Sequence, residues 1–539
     1  MGLLVVLLAS LLAVGADERL DRQPASIRER EESLARRILA PLRDAGLWVD
    51  GREDRDAKAA CNVSRYAHAI RTERFTETWP DERGAGKTIA VKAEVWTDAF
   101  QAALNENARV FVPSRRKPYY IDRPLIMRSG GRLDLAPDAE IRLRPGSNCC
   151  MLRNAHLVSG QTGPVTLSDD ADHDIVITGG IWTTLATGRW RQSNGNVRGR
   201  ADPKGSFHAH GVIVLNNVRR LRVSGVTIRQ CRPHGVQLSN CSQFCVAGIR
   251  FEDHRRDGVH INGPASYGVV RNVRVGRGVM GDDMVALNAW DWKHTSMTFG
   301  PIHHVLVEDV DGRAVGETRG GQADGAQGHD SEIRLLAGTK HFGDGHTLNC
   351  SIEDCVIRRV AGIRTFKMYD QPNLELGRDK DFADPIGEMR NLLFSDIRID
   401  RATGAAFFQI HANVNGIAIR DVVLGFDPAP RSGKPFALVQ VGPISQTYKF
   451  DQNDPSRWVE IFSPDKDCVV RGLDLSNVRA LGKRVNADDL VRVIEQTLNK
   501  DYPRTTPRGG RGKGVLRSSP SRRPIGPGPD GPRRGVGPL

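Results

Sequence analysis

Three aspartates stand at the start of two similar stretches of the sequence and could work together as acid and base. Asp257 begins DGVHIN, and Asp283, preceded by Asp282, begins DMVALN 26 residues later. Both stretches are short apolar runs that end in an asparagine, Asn262 or Asn288, so each predicts a β-strand with its aspartate at the same place. If the strands are neighbours in a parallel sheet, about 4.8 Å apart, the carboxylates lie close together.

Crowded carboxylates repel one another when all are ionised, which raises the pKa of at least one of them and makes it a proton donor near neutral pH. Hydrolysis of a glycosidic bond needs such a pair: an acid that protonates the leaving oxygen and a carboxylate that activates water. Two other interpretations stay open at this point, namely ordinary turn aspartates and calcium ligands. For the two asparagines, a hydrogen-bonded ladder between strands is the simpler interpretation.

The strands around these aspartates belong to two interlocked repeats. LRVSGVTI (221–228), FCVAGIRF (244–251) and YGVVRNVRV (267–275) recur with periods of 23 and 24 residues, and they alternate with HGVQLSN from His234 and the two aspartate stretches. Repeats of this length bury their inward faces only by stacking on one another. The sequence therefore predicts an all-β, right-handed parallel β-helix.

The whole chain is predicted to consist of five parts. Residues 1–16 have the apolar run and small residues of a signal peptide, which predicts a secreted or periplasmic protein. Residues 17–90 are predicted to be a helical extension, 91–480 the β-helix, and 481–502 a C-terminal helix, because ADDLVRVIEQTLNK has helical spacing. Residues 503–539 are a basic tail rich in Pro, Gly and Arg, which predicts disorder.

Charge and cysteine usage exclude several classes of function. The net charge is +13, but the tail holds nine Lys and Arg and one Asp, so it contributes +8 and leaves +5 for the rest. We therefore expect no nucleic-acid partner. The N-terminal apolar run is shorter than the roughly 20 residues of a membrane span. The nine cysteines show no metal-binding spacing, so we expect no cofactor and no metal, and five are predicted to be buried thiols: Cys231, Cys241, Cys245, Cys350 and Cys355.

Four motifs of this chain, in this order, resemble the polygalacturonase family, glycoside hydrolase family 28, of the pectin lyase-like β-helix superfamily. They are RRDGVHI, MGDDMVAL, QGHDSEIRLLAG and AGIRTFKM. The resemblance begins with WTDAFQAAL and VFVPS, which are similar to the opening helix and first coils of the family, and continues to about residue 425.

The resemblance implies single-displacement hydrolysis with inversion of configuration. It implies that Asp283 is the general acid, that Asp257 and Asp282 activate water, and that His329 supports the protonation of the acid. Two motifs depart from the family, because arginines replace the Asn-Thr before the first aspartate and an Asp follows His329 where the family has Gly.

Basic and aromatic residues beside the motifs are the predicted substrate contacts. The resemblance implies that Arg364 and Lys367 hold a substrate carboxylate. They are separated by two residues here and by one in the family, so in a regular strand they would face opposite ways. The other predicted contacts are Arg256, Trp290, Trp292 and Lys293.

Together these features predict a monomeric, exported, inverting glycoside hydrolase that acts on a polysaccharide, one with uronic acids. Two alternatives share the same scaffold: a polysaccharide lyase, and a β-helix that binds glycans without cleaving them.

Overall fold

The structure is a computed structural model, and it describes most of the chain between residues 26 and 518. The described residues are 26–47, 60–79, 87–147, 149–158, 166–185, 211–231, 233–254, 256–291, 297–313, 332–341, 347–371, 387–402, 406–429, 435–442, 445–448, 459–462, 468–494 and 515–518. The predicted signal peptide lies outside this part of the chain.

The described residues before position 107 form two α-helices and three strands. They are α1 (Ile27–Asp44), β1 (Cys61–Asn62), β2 (Arg71–Trp79), β3 (Lys87–Val95) and α2 (Thr97–Glu106). The described part of the chain also contains two short 3₁₀ helices, Val63–Ala69 and Asp488–Leu490. None of the helices in the described part of the chain has the length and apolar character needed to cross a bilayer.

Most strands stack as the coils of one long sheet. The first half comprises β4 (Arg109–Val112), β5 (Tyr119–Ile121), β6 (Leu125–Met127), β7 (Arg132–Leu135), β8 (Glu140–Leu143), β9 (Leu152–Asn154), β10 (Asp172–Thr178), β11 (Ile181–Thr183), β12 (Gly211–Ser224), β13 (Thr227–Cys231), β14 (His234–His254), β15 (Val259–Met280), β16 (Asp283–Asn288) and β17 (Ile302–Asp311). The second half comprises β18 (Glu332–His341), β19 (Thr347–Cys350), β20 (Ile352–Ala361), β21 (Thr365–Gln371), β22 (Glu388–Ile399), β23 (Phe408–His411), β24 (Asn413–Leu424), β25 (Val439–Val441), β28 (Cys468–Ala480), β29 (Lys483–Arg484), β30 (Val491–Val493) and β31 (Val515–Ser518). β26 (Ser445–Tyr448) and β27 (Val459–Phe462) form a separate antiparallel pair.

Parallel pairing between successive coils defines the architecture. β12 pairs with β14, β14 with β15, β15 with β17, and the series continues through β20, β22 and β24 to β28, always in parallel. The register places Leu221 beside Phe244 and Phe244 beside Gly268, as the repeats predict. The prediction of a parallel β-helix is confirmed.

Two columns of left-handed residues bend the coils at fixed places. Each column contains one residue per coil from β10 to β28, and these residues lie side by side on successive coils. Each has a positive φ, a backbone conformation that favours Gly, Asn and Asp over other residues. The first column contains Gly179, Gly225, Gly248, Asn272, Asp309, Arg359, Asp396, Asp421 and Asn477. The second contains Asp174, Arg220, Gln243, Tyr267, His304, Asp354, Asn391, Gly416 and Gly472. The positions that the sequence repeats share, Gly225, Gly248 and Asn272, are therefore the places where successive coils bend.

Helix α1 lies across the outside of six coils. Its capping box joins Ser26 and Glu29, and its apolar face buries Leu34, Ile38 and Leu42. An 18-residue helix is about 27 Å long, close to the roughly 24 Å spanned by six stacked strands. The helix packs on one outward row of apolar side chains, one from each coil: Cys245, Val269, Leu306, Val356, Leu393 and Ala418. Charged residues, Arg222 and Asp474, occupy the same row just beyond its two ends.

A buried ion pair also fixes α1 to the coils. Glu31 is almost fully buried, its Oε2 lies 2.5 Å from a terminal nitrogen of Arg420, and its Oε1 lies 3.5 Å from Arg358. We expect Glu31→Ala to weaken the docking of α1 by about 3 kcal/mol, because the change leaves the buried guanidinium group of Arg420 without this carboxylate. Hydrogen exchange of the α1 amides measures the effect, and the exposed Glu32 provides the control, Glu32→Ala. Equal exchange in the two variants would contradict the prediction.

The structure corrects the predicted ends of the chain. Residues 17–90 are not wholly helical, because β2 and β3 form an antiparallel hairpin whose alternating sequences suit strands better than a helix. The predicted helix at 481–502 is wrong in its described part: Val491–Val493 is a strand that pairs with β25, since neighbouring coils offer VRV a sheet edge. In the tail predicted to be disordered, Val515–Ser518 pairs antiparallel with β28.

The parallel ladder also extends beyond the predicted bounds of 91 and 480. It begins where Cys61–Asn62 pairs with β4 and continues to β30. The inward faces of the coils form one continuous hydrophobic core, built largely from Val, Ile, Leu and Phe. The five cysteines predicted to be buried are buried.

Candidate functional site

The repeat register brings the aspartates of successive coils together. Val259 of β15 pairs with Val285 of β16, which places Asp257 beside Asp283. The amide of Gly258 donates a hydrogen bond to the Asp283 carbonyl at 2.7 Å. The prediction from the two similar stretches is confirmed at this point: the two aspartates occupy matching places on neighbouring coils.

The glycine after Asp257 has a packing role. A Cβ atom at Gly258 would lie 2.5 Å from the ring of Phe251 and 2.8 Å from the Met284 carbonyl. The preceding coil repeats this arrangement, because a Cβ at Gly235 would lie 2.6 Å from the same ring. Glycine at these two positions therefore leaves room for the ring of Phe251. The residue before each glycine is polar, His234 on one coil and Asp257 on the next.

The three carboxylates form a compact group, which we call the aspartate cluster: Asp257, Asp282 and Asp283. One oxygen from each lies within 4.8 Å of an oxygen from the others. Asp283 is fully buried and Asp257 is 4% exposed, whereas 30% of the Asp282 side chain is exposed. Solvent therefore reaches the cluster mainly at Asp282.

Charged side chains of the following coils face the cluster. Arg334 of β18 lies with its Nε 3.0 Å from Asp283 Oδ2, and a terminal nitrogen lies 3.8 Å from Asp282. Glu332 is buried and forms an ion pair with Lys367 of β21, so cations and carboxylates alternate along the coils. The Nε–Oδ2 contact of Arg334 and Asp283 does not have hydrogen-bond geometry, and both Asp283 oxygens are buried without a hydrogen bond.

A second polar group lies on the other side of Asp257. His260 Nδ1 is 2.5 Å from Asp257 Oδ2, and its Nε2 is 3.2 Å from Asp291 Oδ2. The ring of His234, on the preceding coil, stacks on that of His260 with centroids 4.0 Å apart, and its Nε2 lies 3.8 Å from Asp257 Oδ2.

These surroundings separate the pKa values of the three aspartates. Burial alone would raise the pKa of Asp257, but His234 and His260 more than offset this and hold it well below its usual value. Burial and the charge of Asp257 raise the pKa of Asp282 to about 6. Burial also raises the pKa of Asp283 well above its usual value, against the opposing effect of Arg334. The cluster thus combines an ionised carboxylate with two groups that keep protons at higher pH.

The structure places some of the predicted substrate contacts and leaves others outside its described part. Lys367 points toward the cluster and is paired with Glu332, while Arg364 is exposed in the bend before β21. Arg256 lies next to Asp257, with its Nε 3.4 Å from His234 Nε2. The predicted residues His329, Trp292 and Lys293 lie outside the described residues.

Trp290 is part of the hydrophobic core. It is 7% exposed, and Lys340 Nζ lies 5.7 Å from the centre of its ring. This burial corrects the prediction that Trp290 stacks on substrate. The asparagines predicted to form a ladder are in register, and their amides bond to neighbouring polar groups: Gln237 donates to Asn262, and Asn288 donates to Asp291.

The sequence did not predict five residues that the fold brings to the cluster or its histidine. His234 and His260 were visible as parts of HGVQLSN and DGVHIN, and their position beside the aspartate stretches was a usable signal. Asp291 follows the second aspartate stretch by three residues, and Glu332 and Arg334 stand in the motif QGHDSEIRLLAG, but nothing in the repeat spacing placed these three residues beside the aspartates. The missed residues with short contacts to the cluster or its histidine are His234, His260, Asp291 and Arg334.

Comparison with known proteins finds similarity to solved structures at low sequence identity. No family model and no curated protein matches this chain. Among solved structures, a surface adhesin of Streptococcus pneumoniae is 10% identical over 86% of this chain and 99% of that one, with a TM-score of 0.38. A hyperthermoactive exopolygalacturonase from Thermotoga maritima is 12% identical over 82% of this chain and 96% of that one, with a TM-score of 0.39. The tailspike protein of E. coli bacteriophage HK620, solved with a hexasaccharide, is 12% identical over 75% and 60%, with a TM-score of 0.43.

Proposed function

We propose that this protein is an exported glycoside hydrolase that cleaves glycosidic bonds in a polysaccharide. One observation carries the proposal: three carboxylates meet within 4.8 Å, and their surroundings hold one of them ionised while raising the pKa of the other two. A site that only binds sugar does not need one carboxyl group with a lowered pKa beside others with raised pKa values, whereas a site for acid and base catalysis does.

Within this function, we assign the proton donor to Asp282. It is the most exposed member of the cluster, and a pKa of about 6 is close to the value that suits a general acid near neutral pH. This assignment differs from the family resemblance, which implies Asp283. Asp283 is fully buried, so we assign it to the support of Asp282, and we assign the activation of water to Asp257, the carboxylate that stays ionised.

The stereochemistry of the reaction is the second part of the proposal. Inverting glycosidases usually separate their carboxyl groups by about 6.5–9.5 Å, and retaining ones by about 5–5.5 Å. The spacing in the aspartate cluster, at most 4.8 Å between nearest oxygens, is shorter than both. The spacing therefore selects neither mechanism. The proposal of inversion rests on the family resemblance, and it is tested directly.

The lyase alternative is less well supported by the charges in the site. A lyase needs a base, commonly Lys or Arg, that can lose its proton. Burial lowers the pKa of Arg334 and Lys367, but Asp283 and Glu332 reverse this effect, and both groups have a pKa above the usual value. Neither cation is therefore suited to abstract a proton.

For the substrate, we propose a polysaccharide that contains uronic acids. Arg256 and Lys367 supply positive charge near the cluster, which suits a carboxylated sugar, and Arg364 is exposed three residues before Lys367. Lys367 already has an anionic partner in Glu332, so a substrate carboxylate would have to share this cation. For that reason the experiment includes neutral galactans as well as pectic and other acidic polysaccharides.

A panel digestion of these polysaccharides tests the function. We expect new reducing ends without the ultraviolet absorbance of unsaturated uronides, and we expect Asp282→Asn to abolish them. Absorbance that rises in step with the reducing ends would establish a lyase instead. NMR of the first-released anomer then tests inversion, and release of the retained anomer would overturn it.

A further inference from the structure

The imidazole of His260 has a carboxylate oxygen within 3.2 Å of each of its two ring nitrogens. It is 1% exposed, in the strand that follows Asp257. Nδ1 faces Asp257 at 2.5 Å and Nε2 faces Asp291 at 3.2 Å. A neutral imidazole has one N–H and one lone pair, so in its neutral form it would turn a lone pair toward a carboxylate.

The Nε2 atom has a second neighbour, and the two require opposite protonation states. The amide nitrogen of Asn262 also lies 3.2 Å from Nε2 and could donate to a lone pair there. Asp291 can only accept from Nε2 if that nitrogen carries a proton. A hydrogen bond between ionised groups is roughly twice as strong as a neutral one, so the carboxylate decides the state of this nitrogen.

We propose that His260 is a positioning residue: held as a buried imidazolium between Asp257 and Asp291, it keeps Asp257 ionised and fixes its orientation beside Asp282 and Asp283. The inference rests on the proposed function, because it explains how one of three crowded aspartates remains a base. Without a cation at this place, the deeply buried Asp257 would share the tendency of its neighbours to hold a proton.

Charged and titratable groups from three coils surround this imidazolium. The preceding coil contributes His234, whose ring stacks on His260. The coil of His260 contributes Asp257 and Arg256, and the following coil contributes Asp282, Asp283 and Asp291. Arg334 approaches the cluster from the far side, next to Asp283. Of these groups, the carboxylates of Asp257 and Asp291 are the ones in direct contact with the ring nitrogens of His260. Burial lowers its pKa, but Asp257 and Asp291 raise it to about 9.

A metal ion is the competing explanation for this group. Nitrogen atoms of His234 and His260 and an oxygen of Asp257 lie within 4.8 Å of one another, as in a site with two His and one carboxylate. The two rings, however, are stacked with only 8° between their planes. Their in-plane lone pairs therefore lie in two nearly parallel planes, with the ring centroids 4.0 Å apart, and this arrangement does not let both lone pairs point at one ion. The geometry therefore favours a proton on His260.

NMR of the full chain, labelled with ¹⁵N and ¹³C in its 15 histidines, tests the proposal without any need for activity. His260→Gln identifies the signals of His260 by difference. We expect both ring nitrogens to stay protonated up to about pH 8, and we expect Asp291→Asn to lower the titration midpoint by at least one unit. A midpoint near the ordinary value of about 6.5 in the unsubstituted protein would overturn the proposal.

The pH dependence of kcat/KM supplies the second readout. Removing the imidazolium raises the pKa of Asp257, so in His260→Gln the acid limb should move to higher pH and activity at pH 5 should fall at least ten-fold more than activity at pH 8. A uniform loss at every pH would indicate a purely structural role and would overturn the proposal. If no polysaccharide is cleaved, the proposed function fails, while the NMR titration still decides the state of His260.

Discussion

Asp282→Asn is expected to lower kcat on a polysaccharide by a factor on the order of 10³ while the protein stays folded. The change keeps the size of the side chain and removes the proton that the leaving oxygen needs. Turnover at saturating substrate measures the effect, and circular dichroism checks the fold. Asp400→Asn is the matched control, because Asp400 is exposed and paired with Arg398 on the outside of a coil.

A leaving group that needs no proton separates the roles of the three aspartates. On an aryl glycoside with a good leaving group, Asp282→Asn should recover most of its rate, since cleavage no longer depends on the acid. Asp257→Asn should stay inactive on both substrates, because the base is still required. Recovery in Asp283→Asn, with none in Asp282→Asn, would return the general acid to the residue that the family resemblance implies.

The second large effect concerns stability. Arg334→Met removes the guanidinium next to Asp283 and Asp282 and keeps the aliphatic stem. We expect a loss of about 3 kcal/mol in the free energy of unfolding at pH 7, because the change leaves buried acids without their nearest cation. Urea unfolding at pH 7 and pH 4.5 measures it.

The sign of the pH dependence follows from the pKa values. Burial already raises the pKa of Asp283 and Asp282 in the folded protein, and loss of Arg334 raises them further. An acid with a raised folded pKa costs nothing below its unfolded pKa of about 4; the cost grows as the pH rises from there to the folded pKa, and above the folded pKa it is constant. The loss in Arg334→Met should therefore be small at pH 4.5 and larger at pH 7. Arg398→Met, which breaks an exposed pair, should change stability by less than about 0.5 kcal/mol at either pH. An equal loss at both pH values in Arg334→Met would refute the electrostatic explanation.

The β-helix could be predicted from the sequence because the spacing of the repeats sets the register in which the strands pair. Gly225, Gly248 and Asn272 recur where each coil must adopt a positive φ, and that backbone requirement restricts the residue type strongly enough to be seen without a structure. The same register placed Asp257 beside Asp283. Both predictions depend on one period, so they succeed together.

The partners of the aspartates were harder to predict because stacking joins residues that lie far apart in the chain. Arg334 follows Asp283 by 51 residues but lies only one coil away, since a long insertion separates β16 from β18. The predicted C-terminal helix failed for a related reason. VRVI alternates as well as it follows a helical period, and only the free edge of β25 decides between the two.

Helix α1 changes how this solenoid is expected to unfold. In a stack of coils, each coil normally contacts only its two neighbours, so coils can fray from an end one at a time. The apolar row from Cys245 to Ala418 packs six coils against helix α1, so none of these coils can unfold locally without losing part of that contact. Those six coils therefore behave as a single cooperative block, and the aspartate cluster, which lies on coils within it, is protected from the fraying of either end.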